Sequence, residues 1–259
     1  MFQEKVNKII DEGYNLSVSE VFSKSFVLIK NNIGIGILFS LIFIALSSIF
    51  NIIGFNMVGL DVEEMITTYI DLIETKDIER LGSFMESYEE ISNLLVVLTL
   101  VVSIILAPLY IGLINYIYKK SKGEASVANI IAPYTSSKIG GLLICFTAIF
   151  MFYQIGTYLF FLPGFYAYGI LFLAPIIYWF NDVSFGEALT ASVKIAHKNL
   201  IKLIIIAVLL MIVKNLGILV FGVGFFFTFP LCIIGHYVVY RQIFIVEEND
   251  SKIDKIGAL

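Results

Sequence analysis

A chain of 259 residues in which 59% are hydrophobic and only 15% charged, with a mean hydropathy of +0.91, is too apolar for a water-soluble domain. Lipid is therefore the solvent for most of it, and at about 20 residues per crossing the length accommodates about six spans. The net charge of −4 is small, and the 2 cysteines (Cys145, Cys232) and 2 histidines (His197, His236) lie in separate segments, which excludes a disulfide framework and a zinc-type cluster.

Residues 1–32 are polar and amphipathic, with no cleavable signal peptide in view. Ser17 and Glu20 have the spacing of a capping box. From there Val21, Phe22, Phe26 and Ile29 recur at helical spacing, with Lys24 and Lys30 on the other face. Such a helix lies at a membrane interface with its apolar side inward and its lysines toward anionic headgroups. The expected spans are 33–55, 94–118, 139–161, 166–180, 200–221 and 225–244. Loop 56–93 contains two amphipathic stretches, 65–73 and 78–91, which predict an outer helical hairpin. Residues 119–138 form a third, degenerate interfacial element.

Leu162-Pro163-Gly164 predicts the turn between the third and fourth spans, and Gly222-Val223-Gly224 the turn between the fifth and sixth. Pro108, Pro175 and Pro230 predict kinks.

Orientation follows from Lys and Arg. They crowd into 1–32, 119–138, 181–202 and a tail holding Arg241, Lys252 and Lys255. Loop 56–93 has only Lys76 and Arg80 but ten of the 21 acidic residues. Both termini are therefore expected in the cytoplasm and the acidic loop outside, its acidic face solvated or turned to cations or a basic partner.

Residues 15–33 are echoed by 182–200. At one offset Ser17 matches Ser184, Glu20 matches Glu187, Ser25 matches Ser192 and Asn32 matches Asn199. The second copy repeats the capping box, an apolar face of Ala188, Leu189, Val193 and Ala196, and a basic face with Lys194 and Lys198. Each copy leads directly into a span. The pair serves either as topological anchors or as a surface for lipid headgroups or a partner.

From Phe160 to Arg241 the chain shows Leu162-Pro163-Gly164-Phe165, Ala174-Pro175, Asp182, Glu187-Ala188-Leu189, Ser192, Lys198-Asn199, Pro230 and Tyr240. This series resembles bacterial six-span membrane proteins of the DUF975 type and the membrane domain attached to some glycerophosphodiester phosphodiesterases. The resemblance implies a helical membrane fold and no activity. The phosphodiesterase barrel, with its acids and histidines for metal, has no counterpart here. Some similar proteins carry a carotene-oxygenase label, but His197 and His236 alone cannot supply the iron sphere of such an enzyme.

Inside the spans, Lys214 with Asn215 beside it either lines a polar cavity or snorkels to the outer headgroups. His236, with Tyr237 and Tyr240 near it, either binds a ligand or bonds a neighbouring helix; Asn51, Asn115 and Gln154 are further candidates for such bonds. No Asp or Glu lies in an expected span, which argues against proton-coupled transport and an intramembrane aspartyl protease. No nucleophile motif, phosphate loop or metal spacing stands out, and Gly34-Ile35-Gly36 has no strand before it.

The sequence thus predicts an all-α polytopic transmembrane bundle, a single integral membrane domain over 1–259 with amphipathic interfacial helices and an acidic outer loop. It is expected in a bacterial cytoplasmic membrane, without catalytic residues, cofactor or nucleic-acid partner. Its expected role is a scaffold or lipid-interacting module, touching anionic headgroups on the cytoplasmic side and able to hold a membrane-protein partner. Transport of a lipid or amphiphile is the alternative, and lipid modification a weaker one.

Overall fold

The computed structural model describes residues 2–57, 59, 61–219 and 222–244, with the side chains of residues 62 and 87–92 outside the description. Lys252 and Lys255 of the basic tail and the end of the fifth expected span therefore lie outside the described residues.

The described chain is helical, with no strand. Its elements are α1 (Phe2–Glu12), α2 (Val18–Lys30), α3 (Ile33–Met57), α4 (Val62–Thr75), α5 (Ile78–Leu106) and α6 (Pro108–Ser121). A 3-10 turn (Val127–Ile130) precedes α7 (Ala132–Thr135), α8 (Ile139–Phe160), α9 (Leu162–Leu171) and α10 (Ala174–Phe180). The last are α11 (Phe185–Lys198), α12 (Leu200–Leu219) and α13 (Phe225–Phe244).

Five stretches among the described residues are long and apolar enough to cross a membrane: Ile33–Met57, Asn93–Ser121, Ile139–Phe160, Leu162–Phe180 and Leu200–Leu219. The sixth expected span, α13, has the length but carries His236, Tyr237, Tyr240, Arg241 and Gln242. It is nonetheless the most enclosed helix, with Phe229, Pro230 and most side chains from Cys232 to Phe244 buried. A helix walled by protein has less need of an apolar surface than one walled by lipid.

The prolines act as expected at two sites. Pro108 opens α6 where α5 ends, and Pro175 opens α10 after a break at Phe172–Leu173. Pro230 sits inside α13, which runs on through it.

The chain divides into two units. The smaller, Phe43–Leu106, holds the second half of α3 with α4 and α5. Asp61 Oδ1 accepts the backbone N–H groups of Glu63 and Glu64, both at 3.0 Å, and so starts α4. Lys76, left-handed at φ 55°, ends it. Asp77 Oδ1 then accepts the N–H of Arg80 at 3.1 Å, and the Tyr69 and Phe84 rings meet at 6.2 Å. The expected hairpin is present, and its second arm runs without a break into the span.

The larger unit, Met1–Ile42 with Ala107–Leu259, holds the other elements. An aromatic knot ties four helices together: Tyr110 of α6 meets Phe146 of α8 edge-on at 6.0 Å and Phe229 of α13 at 5.6 Å, and Phe39 of α3 meets Phe229 at 5.5 Å. Ser40 Oγ donates to Gly36 O at 3.0 Å and reaches Phe226 O at 3.4 Å, linking α3 to α13.

The turn between α8 and α9 differs from the expectation. Phe161 alone makes the reversal, at φ 62° and ψ −50°, a conformation costly for a side chain with a Cβ. Pro163 and Gly164 already belong to α9. Gly164 is needed for another reason: a Cβ on Gly156 of α8 would lie 2.6 Å from Gly164 Cα, so the two backbones touch.

Candidate functional site

Three neighbourhoods of the larger unit gather the polar groups that helices in lipid rarely keep without cause. The first is the pair α2 and α11. Ser17 Oγ accepts the Glu20 N–H at 3.4 Å. Ser184 completes the reciprocal box: its Oγ accepts the Glu187 N–H at 3.3 Å, and its own N–H donates to Glu187 Oε2 at 2.9 Å. Bonds from the backbone N–H and Oγ of Ser184, with a smaller one from Gln3, hold the Glu187 carboxyl below its ordinary 4.5.

A depressed carboxyl contributes stability that is complete above the unfolded value and fades as pH falls through the folded one. Acidification through the carboxylate range is therefore expected to fray the start of α11. Ser184→Ala should cost about 1 kcal/mol and remove most of that pH dependence, while Glu187→Gln should keep the cap and lose the pH dependence. Amide hydrogen exchange of residues 185–188 between pH 3 and 7 reads both.

The buried face of α2 is Val21, Ser25 and Ile29, spaced by four, whereas Phe26 is 62% exposed. Phe26 turns away from the protein core. The helix packs against α13 rather than only on a bilayer surface, so a narrower stripe turns in. In α11 the buried face is made of small residues, Ala188, Ala191, Ser192 and Ala196, with Ile195. Leu189 and Val193, expected on that face, are half-buried. Ser192 Oγ donates to Ile170 O at 2.7 Å and Tyr166 Oη meets His197 Nε2 at 3.0 Å, so α11 runs back along the α9–α10 arm.

Lys24, Lys194 and Lys198 stay exposed, as does Lys30 in the last turn of α2. Lys24 pairs with Glu20 at 2.8 Å, an exposed contact worth little. Asn32 and Asn199, the matched residues before each span, both tie down chain. Asn32 Nδ2 donates to Leu28 O at 2.7 Å, and Asn199 Nδ2 donates to Tyr14 O at 2.8 Å.

The second neighbourhood joins helix ends that sequence spacing does not connect. Lys138 Nζ donates to Tyr178 O at 3.1 Å, Trp179 O at 3.2 Å and Asn181 O at 2.8 Å, capping the end of α10. Burial pulls this ammonium below its ordinary range, and Asp182 opposes that in part. Asn181 Nδ2 donates to Tyr240 Oη at 3.2 Å, and Trp179 Nε1 donates to Asn115 Oδ1 at 3.4 Å. Asn115 thus bonds across helices as expected, whereas Asn51 bonds back to Ser47 O within its own helix at 2.8 Å.

Lys120 Nζ, at the end of α6, donates to Asn32 Oδ1 at 2.8 Å and Asn31 O at 3.2 Å. A small recess opens there, lined by Leu28, Asn32, Ile117, Lys120, Ser121, Tyr237 and Arg241. Sequence reading entered Lys120 and Lys138 only as topological charges. Their acceptors lie about 90 and 40 positions away, so no local pattern announces them.

The third neighbourhood lies between α9, α12 and α13. His236 Nε2 meets Tyr168 Oη at 3.3 Å, and its ring lies 4.8 Å from Phe172, so it bonds between helices. Lys214 lies within electrostatic reach of His236 and Cys232. It is half-exposed and five residues before the last residue of α12, about 8 Å along the axis, within reach of headgroups for a lysine chain. Asn215 beside it is exposed. Lys214 and His236 lie on the contacting helices α12 and α13, and Asn215 turns outward.

No family model, no curated protein and no solved structure matches this chain. Among the described residues no group of three or more His, Cys, Asp or Glu is arranged to hold a metal.

Proposed function

We propose that this is a multi-pass membrane protein without catalytic chemistry that interacts with anionic lipid and scaffolds the envelope, with α1, α2 and α11 resting on the cytoplasmic leaflet. The observation that carries the reading is the convergence of basic helix ends in the larger unit. The start of α8 meets the end of α10 through Lys138, the end of α10 meets those of α13 and α6 through Asn181–Tyr240 and Phe180–Tyr118, and Lys120 reaches the α2–α3 junction. Phe2 of α1 stacks on Phe244 at 6.5 Å, bringing the first helix to the same place. Such a surface matches a negative leaflet, where each Lys or Arg contributes about 1 kcal/mol. By the same charge rule both termini face the cytoplasm and the acidic hairpin faces outward.

The test is lipid selection. In nanodiscs mixing phosphatidylglycerol with phosphatidylcholine, the extracted protein should retain phosphatidylglycerol in excess of its share. Lys24→Gln, Lys30→Gln, Lys194→Gln and Lys198→Gln together should reduce that excess severalfold. Retention of the two lipids in the ratio supplied refutes the reading.

A second reading, passage of an amphiphile, takes its polar groups from Lys214 and His236 on the contacting helices α12 and α13. It requires flux in liposomes that Lys214→Met abolishes, and unchanged flux removes it.

A further inference from the structure

We infer that the hairpin of α8 with α9 and α10 does not cross the bilayer: it lies within the leaflet on which α11 rests, and its exposed apolar face docks on the acyl chains of that leaflet. The inference takes from the reading above only the placement of α11, and adds the surface through which the larger unit meets lipid.

α12 and α13 run antiparallel from the turn between them. Thr228 Oγ1 donates to Lys214 O at 3.1 Å, and farther from the turn Gly235 packs on Leu210. The start of α12 therefore sits beside the end of α13, and this register puts Ile204 level with Tyr240. The hairpin is likewise paired along its whole length. Gly156 meets Gly164 near its closed end, and Gly141 meets Tyr178 near its open end, where Lys138 Nζ donates to Asn181 O at 2.8 Å.

The hairpin touches the α12–α13 pair near both of its own ends, and at one depth. At the open end Asn181 Nδ2 donates to Tyr240 Oη at 3.2 Å, and Phe180 stacks on the same ring. Toward the closed end a Cβ on Gly169 would lie 3.3 Å from Ile204 Cα. Beyond it Tyr166 Oη meets His197 Nε2 at 3.0 Å, just before α12 begins. Gly169 and Asn181 are about 12 positions apart, or ~18 Å of helix. In a hairpin standing parallel to the α12–α13 pair, these contacts would differ in depth by that distance. They are level, so the hairpin lies across the pair.

The charged helices beside it agree. α11 follows the hairpin through Ser192 and His197, with Lys194 and Lys198 exposed. α1 follows α11: Phe2 stacks on Phe244 and Tyr14 Oη donates to Ile195 O at 3.0 Å, while Lys5, Asp11 and Glu12 are exposed. Standing upright, this layer would hold those charges in hydrocarbon; lying across, it leaves them at the headgroups. The hairpin is the apolar side of the same layer. It has no charged residue between 139 and 180, and its closed end exposes Tyr158, Leu159, Phe160, Phe161 and Leu162, with Phe160 at 85%. Acyl chains are the surroundings that match such a surface. Two crossings fewer leave the number of crossings even, so the orientation read from Lys and Arg is unaffected.

The test places a nitrobenzoxadiazole dye on single cysteines of the full chain in sealed, uniformly oriented membrane vesicles. Dithionite, which does not cross a bilayer, then reduces the dye from one side at a time. Cys145 and Cys232 are buried, so the unsubstituted chain is the blank. Lys198→Cys marks the α11 side, and Val223→Cys, at the exposed turn between α12 and α13, marks the other. The closed end of the hairpin is read twice, at Tyr158→Cys and Phe160→Cys, both on exposed side chains. With dithionite on the Val223 side, both hairpin dyes are expected to fade at least about tenfold more slowly than the Val223 dye, because the ion is kept out by hydrocarbon. Hairpin dyes that fade as fast as the Val223 dye overturn the inference and leave the proposed function standing on lipid selection. Lys198 and Val223 dyes that fade from the same side overturn the inference together with the placement of α11.

Discussion

Gly156→Ala is expected to lower the unfolding temperature of the protein in detergent by more than any surface substitution. A Cβ there would lie 2.6 Å from both Gly164 Cα and the Pro163 carbonyl carbon. Neither is the far end of a flexible side chain. Both belong to the helix across the contact, so α8 and α9 must part along their length. Overpacking a core typically costs about 1–3 kcal/mol, and a clash with backbone falls at the upper end. In a bilayer the loss is sharper in kind, because close van der Waals packing, not expulsion of water, holds such helices together. Gly140→Ala is the control: it lies in the first turn of the same helix with nothing within 4 Å of the new methyl. It should be neutral or stabilising by up to about 1 kcal/mol through helix propensity. Emission from Trp179, the single tryptophan, follows unfolding in both. Equal stabilities for the two variants would contradict the helix contact.

Lys138→Met comes second. If this lysine served only to set orientation, its loss would leave the folded state as stable as before. Its ammonium instead donates to three backbone oxygens at the end of α10. Methionine keeps much of the stem and removes every donor, leaving carbonyls without their partner at a cost of about 2 kcal/mol. Lys198→Met, on an exposed side chain in the last turn of α11, should change stability by less than about 0.5 kcal/mol. Thermal unfolding of both variants separates a capping role from a topological one; an unshifted Lys138→Met refutes the cap.

These two residues also mark where sequence legibility stops. Long apolar runs, the helix starts at Ser17 and Ser184, and the breaks at Pro108 and Pro175 are local patterns, so they could be read from the chain. The α8–α9 turn could be placed but not explained, because a phenylalanine at positive φ contradicts its own propensity and is held by packing around it. Which apolar side chains of α2 meet protein was not legible, because periodicity cannot say whether one such as Phe26 faces lipid or another helix. α1 was not distinguished as a helix of its own within the polar, amphipathic segment 1–32, although Val6 and Ile9 are buried. The recess was invisible for a further reason: Lys120, Asn32 and Arg241 come from three helices far apart in the chain, and only folding makes them neighbours.

The links between the first helices and the last ones bear on the order of assembly during synthesis. Tyr14 donates to Ile195 O at 3.0 Å and receives Asn199 at its own carbonyl, while Phe2 rests on Phe244. The contacts of α1 with α11 and with the end of α13 therefore form only after those later helices have been made. A nascent chain stopped before α11 would leave α1 without its contacts to α11 and α13 and more open to proteases.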